Sequence, residues 1–133
     1  MYPLRYKRLW LSLGALLVGT VCVLSLIPSP PELHVPEGDK YAHGAAYLVQ
    51  MCWFGALYER PRHLGIGLYL VLLGVALEVL QGIGGYRTFD VLDMAANGLG
   101  VVLGLVLLQT PVGLVMQRAD AALAYVCGAP PIG

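Results

Sequence analysis

Residues 74–100 read GVALEVLQGIGGYRTFDVLDMAANGLG, two apolar stretches joined at a Gly-Gly turn. The first keeps Gly74, Glu78 and Gln81 on one helical face. The second places Asp90, Asp93, Asn97, Gly100 and Gly104 at spacings of 3, 4, 3 and 4, again one face. Carboxylates inside such long apolar runs are expensive in a bilayer, so they are expected to face the interior of a helix bundle and to mark function.

The whole pattern has four apolar runs. Residues 9–27 are free of charge and stop at Pro28, Pro30 and Pro31; residues 41–58 lie between Asp39-Lys40 and Glu59-Arg60-Pro61-Arg62; residues 63–83 are uncharged except for Glu78. With residues 90–109, each run is about as long as a membrane-spanning helix of ~20 residues requires. The short linkers imply neighbours that pack as a bundle. The first run has a basic start, but it exceeds the ~7–15 residues of a signal-peptide core and no A-x-A site follows, so it is read as a retained span. The expected fold is all-α: a four-helix transmembrane bundle over residues 1–110 and a tail over 111–133. In the tail, Val112, Val115, Met116, Ala119, Ala122, Leu123 and Val126 share an apolar face, with Gln117, Asp120 and Gly113 opposite. That pattern suits a short interfacial helix.

The composition agrees. Of 133 residues 58% are hydrophobic and 12% charged, and the mean hydropathy is +0.72. A soluble domain carries about 25% charged residues. Net charge is zero with no basic stripe, which argues against nucleic acid as a partner. Cys22, Cys52 and Cys127 form no CxxC or CxxH pair, so they are read as buried small hydrophobes rather than as a disulfide or zinc framework. Orientation follows from the cations. Arg5, Lys7, Arg8, Arg60, Arg62 and Arg118 fall on one side; only Lys40 and Arg87 fall on the other. The positive-inside rule puts both termini in the cytoplasm.

In that topology the polar stripes meet. Asp39, His43, Tyr47 and Gln50 share a face of the second span, at spacings of 4, 4 and 3. Of these, His43 and Tyr47 lie in the outer half of the span, at the same depth as Glu78, Gln81, Asp93 and Asn97. Four acids (Asp39, Glu78, Asp90, Asp93) face two cations (Lys40, Arg87), with His43 adjustable near neutrality. Either one acid is protonated or a cation completes the site. Asp39 and His43 stand one turn apart, but there is no HExxH and no dense ligand set, so neither a metal nor a cofactor is expected. The bland alternative is interhelical glue, with Arg87 pairing with Asp90, Lys40 with Asp39 and Asn97 with a neighbour. His34 and His63 are read as without special role.

The ordered set Asp39-Lys40-x-x-His43, Tyr47, Glu78-x-x-Gln81 and Arg87-x-x-Asp90-x-x-Asp93-x-x-x-Asn97-x-x-Gly100 resembles the VanZ-like family, as does the Ser25-Leu26-Ile27-Pro28 exit from the first span. The resemblance covers about residues 24 to 104. It implies a small bacterial inner-membrane protein of a family linked to resistance to the glycopeptide teicoplanin, without implying a particular reaction. The candidate ligand-binding set is Asp39, Lys40, His43, Tyr47, Glu78, Gln81, Arg87, Asp90, Asp93 and Asn97. Lys40 and Arg87 suit an anionic phosphate, and His43, Glu78 or Asp93 suit acid–base work if chemistry occurs. The expected partners are membrane lipids and a lipid head group or a lipid-linked, glycopeptide-related envelope precursor. The competing reading is a non-catalytic envelope protein whose polar layer fixes helix packing and offers a partner surface. A transporter fits least, because no charged residue lies deep in the inner half of any span.

Overall fold

Helix α1, Lys7–Leu26, ends because Ile27 precedes Pro28: the proline ring excludes the helical region, and Ile27 is extended at φ −78°, ψ 145°. The computed structural model describes residues 1–28, 36–85 and 90–128. It continues with α2, Gly38–Leu57, then a 3-10 turn leading into α3, His63–Gly84. Next come α4, Val91–Leu107, a second 3-10 turn, Pro111–Leu114, and α5, Val115–Val126. There is no strand among the described residues, so the all-α expectation holds. Gly85, at φ 75°, closes α3 in the left-handed conformation that glycine adopts without steric cost.

α2 and α4 run parallel and form the most extensive interface, while α3 packs antiparallel to both. The approach is close because Gly100 sits directly on the Gly44 carbonyl, leaving no room for a side chain, and Gly104 sits on Met51. The Gly100-x-x-x-Gly104 pair therefore lets two backbones touch. The buried core is Tyr47, Met51, Ala56 and Leu57 of α2, with Leu70, Val101, Leu108 and Met116 around them.

The outer surface is apolar. Leu9, Leu16 and Val23 of α1, Leu64, Leu68 and Leu72 of α3, and Leu99, Val102 and Val106 of α4 are all exposed. Water would not tolerate a surface this continuous; lipid would. α1 and the stretch Arg60–Gly84 are long and apolar enough to cross a membrane. The chain is thus a membrane protein. A third crossing is formed if α4 and Pro111–Val126 count as one span bent by 80°. The other two expected spans fall short for physical reasons. α2 has the length, but Asp39, Lys40, His43 and Gln50 dilute its hydropathy; α4 has only 17 residues, about 25 Å at 1.5 Å each.

The tail is a short helix, as expected, with shifted bounds and facing. It begins at Val115 rather than Val112, and its inward side is set by Met116 and Asp120, both buried, while Val112, Val115 and Val126 are exposed. The inward side thus joins Met116 of the apolar face to Asp120 of the polar one. Asp120 Oδ2 accepts from the Arg5 amide (2.8 Å), and Oδ1 from the Tyr6 amide (2.9 Å) and the Trp10 indole N–H (2.8 Å). The first N–H groups of a helix have no partner within it, and α1 has no side-chain cap of its own. Asp120 instead holds the two amides just ahead of α1 and the Trp10 indole within its first turn. Trp10 in turn stacks edge-on against Trp53, with ring centres 6.2 Å apart, and its carbonyl accepts the Trp53 indole N–H.

Two smaller expectations are corrected. Cys127 is exposed, and Cys22 and Cys52 are half-buried, so none is a fully buried core residue. His63 is buried, and its Nε2 lies 3.0 Å from both the Gly55 and Tyr58 carbonyls, donating to the otherwise open C-terminal end of α2.

Candidate functional site

The polar residues of α2, α3 and α4 converge at the end of the bundle opposite the start of α1. His43 lies in the second turn of α2, Asp93 in the first turn of α4, and Glu78 six residues before the end of α3. Each is within about 10 Å of its helix end at 1.5 Å per residue. One donor atom from each of the three comes within 4.8 Å of the other two. Helical periodicity aims each side chain; the close α2–α4 contact at Gly44 and Gly100 sets His43 and Asp93 at one height, and Gly74 against Tyr47 and Asn97 places α3 beside them.

Asn97, one turn below Asp93, orients the histidine: its amide oxygen accepts from His43 Nδ1 at 3.1 Å. The ring's Nε2 faces Asp93 Oδ2, 3.7 Å away. Glu78 Oε2 accepts the backbone amide of Asp90 at 3.1 Å. Glu78 has no free amides of its own at the end of α3, so it borrows one from the start of α4. Asp90 also caps α4, accepting from the Leu92 amide at 2.8 Å.

Lys40 lies at the rim. Its Nζ is 2.7 Å from Glu37, 3.5 Å from Asp90, 3.7 Å from Asp39 and 4.0 Å from Asp93. The strongest partner, Glu37, was not among the sequence candidates, although its i,i+3 spacing to Lys40 was a legible signal. Glu37 itself carries the one positive φ of a non-glycine described residue, 57°, at the turn into α2. Four carboxylates around Lys40 make it less available to an external phosphate than the sequence suggested.

The other candidates divide. Tyr47 is in the core, 1% exposed, and its hydroxyl has no hydrogen-bond partner among the described residues; the same holds for both amide atoms of Gln50. Gln81 leaves the cluster: it is buried and donates to the Ser25 carbonyl at 2.6 Å, tying α3 to α1. Asp39 is at the half-exposed start of α2. Arg87 and His34 lie outside the described residues. A separate, largely apolar crevice of about 840 Å³ lies between α1, α2 and α3 toward the other end of the bundle, lined by Leu11, Phe54, Ile66 and Tyr69. Arg62, which also lines it, stacks on the Tyr58 ring at 5.7 Å.

Chemically, the arrangement offers one oriented imidazole and two buried carboxylates near the helix ends. Such a set can bind a polar group, exchange a proton with it, or hold a cation.

No family model matches the chain, and no solved structure matches it. Among curated proteins it is similar to an uncharacterized protein of Schizosaccharomyces pombe, 29% identical over 97 residues. The match covers 70% of this chain and 60% of that protein, so it spans well under the relative's full length.

Proposed function

We propose that the chain spans the membrane four times with both termini in the cytoplasm, and that the His43–Glu78–Asp93 cluster binds the polar head group of a membrane lipid or lipid-linked envelope precursor on the opposite side. The observation that carries this reading is the meeting of two buried carboxylates and a partly buried imidazole, from three helices, within two turns of their ends. At that depth a lipid head group reaches them without crossing the apolar core. α2 and α4 complete the four spans as the inner helices of the bundle, with their polar faces turned toward each other.

The VanZ-like resemblance supports the same location, and it alone carries the bacterial inner membrane and the link to glycopeptide antibiotics. A yeast has no peptidoglycan, so a ligand shared with the Schizosaccharomyces pombe relative would be a phospholipid head group. His43 or Asp93 then serves as acid or base if the bound group is modified. The second reading, a non-catalytic polar layer, draws on the Gln81–Ser25 and His43–Asn97 contacts, which tie helices together without a ligand.

Mass spectrometry of lipids that remain with the detergent-purified chain separates the two. Enrichment of one lipid class, lost in Asp93→Asn while the protein stays folded, supports the head-group site. An unselective lipid profile that Asp93→Asn leaves unchanged overturns it.

A further inference from the structure

The distance between His43 Nε2 and Asp93 Oδ2 is informative by its size. At 3.7 Å it is too long for a hydrogen bond. It is within the span of two ligands on a single ion, whose donor atoms lie at most ~4.2 Å apart when each bond is ~2.1 Å. Glu78 contributes a carboxylate oxygen to a set in which one ligand atom from each of the three residues lies within 4.8 Å of the other two, so a small side-chain adjustment closes it. His43 is already arranged as metal-binding histidines are: the far nitrogen is tied to a carbonyl oxygen, Asn97 Oδ1, which fixes the ring and leaves Nε2 as the donor.

A separate observation points to an occupant. Tyr47, one turn below His43 on α2, is 1% exposed and its hydroxyl has no hydrogen-bond partner among the described residues. It lies next to Asn97 at the floor of the cluster: a Cβ on Gly74 would sit 2.9 Å from Asn97 Nδ2 and 3.1 Å from Tyr47 Oη. A hydroxyl buried in this way calls for a bound water or ligand. Water held on an ion above it meets that need.

We infer that His43, Glu78 and Asp93 form a binding site for one divalent first-row transition cation, Zn²⁺ or Mn²⁺. One imidazole with two carboxylates is a mixed nitrogen–oxygen set without thiolate, which suits these ions better than copper(I) or an iron–sulfur group. Three protein ligands leave coordination positions for water or for an oxygen of a polar ligand. The site needs no lipid, and so stands apart from the head-group reading.

The test uses the full chain in dodecyl maltoside, stripped with EDTA, then given ZnCl₂ or MnCl₂ and gel-filtered. Bound metal is counted by mass spectrometry, and heat resistance is followed alongside. The wild type is expected to retain about one ion per chain and to melt at a higher temperature with it. Asp93→Asn and Glu78→Gln are each expected to fall below about a tenth of an ion and to lose the shift. Glu59→Gln, at an exposed carboxylate on the other end of the bundle, is expected to keep both. Should Asp93→Asn fail to insert, Glu78→Gln carries the comparison, because its amide oxygen still accepts the Asp90 N–H. Less than a tenth of an ion on the wild type, or full occupancy in the folded variants, overturns the site. Lipid that stays with the stripped protein leaves the head-group reading standing in either case.

Discussion

Asp120 and Trp10 are 110 residues apart in the chain, yet Asp120 Oδ1 accepts the Trp10 indole N–H at 2.8 Å. The same carboxylate accepts the Arg5 and Tyr6 amides, so one α5 residue holds the two amides just ahead of α1 and fixes the tail to it. Hydrogen bonds to a charged acceptor contribute ~1.5–3 kcal/mol each, and they share one group here and do not simply add. Asp120→Ala is expected to destabilise the chain by about 2–4 kcal/mol and to expose the tail to protease; Asp120→Asn, keeping shape but not charge, should cost less. Melting in detergent and limited proteolysis read both. An Ala variant as stable as wild type would show the contact to be idle.

The same carboxyl predicts a pH dependence. Burial pushes its pKa up, but the hydrogen bonds from Trp10, Tyr6 and Arg5, with the Arg5 charge, outweigh this and hold it below the usual aspartate range. A group with a lowered folded-state pKa stabilises fully above its unfolded value, ~3.9, and loses that contribution as pH falls through the folded value. The melting difference between wild type and Asp120→Asn is therefore expected to hold from neutral pH to about pH 4 and to shrink below it. A difference that grows on acidification contradicts the sign.

Gly100 and Gly98 make a matched pair on α4. A Cβ on Gly100 would strike the Gly44 carbonyl and lie 3.0 Å from the Leu48 amide, both backbone, so α2 and α4 must separate. Overpacking of this kind costs ~1–3 kcal/mol or more. At Gly98 nothing lies within 4 Å. Gly98→Ala is expected to leave heat resistance within ~0.5 kcal/mol or to raise it, whereas Gly100→Ala lowers it. Equal effects at the two positions would mean that α2 and α4 are not in contact.

Glu78→Gln separates charge from shape. Its side-chain oxygen can still accept the Asp90 amide, so insertion and melting are expected to change by less than ~1 kcal/mol. Selective lipid retention should be lost. A variant that keeps the wild-type lipid profile removes Glu78 from the site and favours the polar-layer reading.

Topology is testable directly in a bacterial inner membrane. Reporters fused after Arg8, at Arg62 and at the C-terminus are expected to read cytoplasmic, and fusions at Glu37 and Gly85 periplasmic, following the six-to-two division of Lys and Arg. A periplasmic C-terminus would move the cluster to the other leaflet.

Membrane character and helix content were legible in the sequence alone, because both depend on local quantities: run length, hydropathy and the prolines that end a run. So were the stripes, since a period of 3.6 residues tells which side chains share a face. Period reports direction about a helix's own axis and nothing about what the face meets. Gln81 shares its stripe with Glu78, yet a small difference in aim sends it to Ser25 of α1 rather than to His43. Asp120 looked like a solvated residue on a weakly polar face, and became a buried tie only because the tail folds back on α1. The height at which His43 and Asp93 meet was set by Gly100 against Gly44, a contact between segments more than fifty residues apart. Such contacts arise from packing among distant segments, which no local pattern encodes; they decided which polar groups became a site and which became ties between helices.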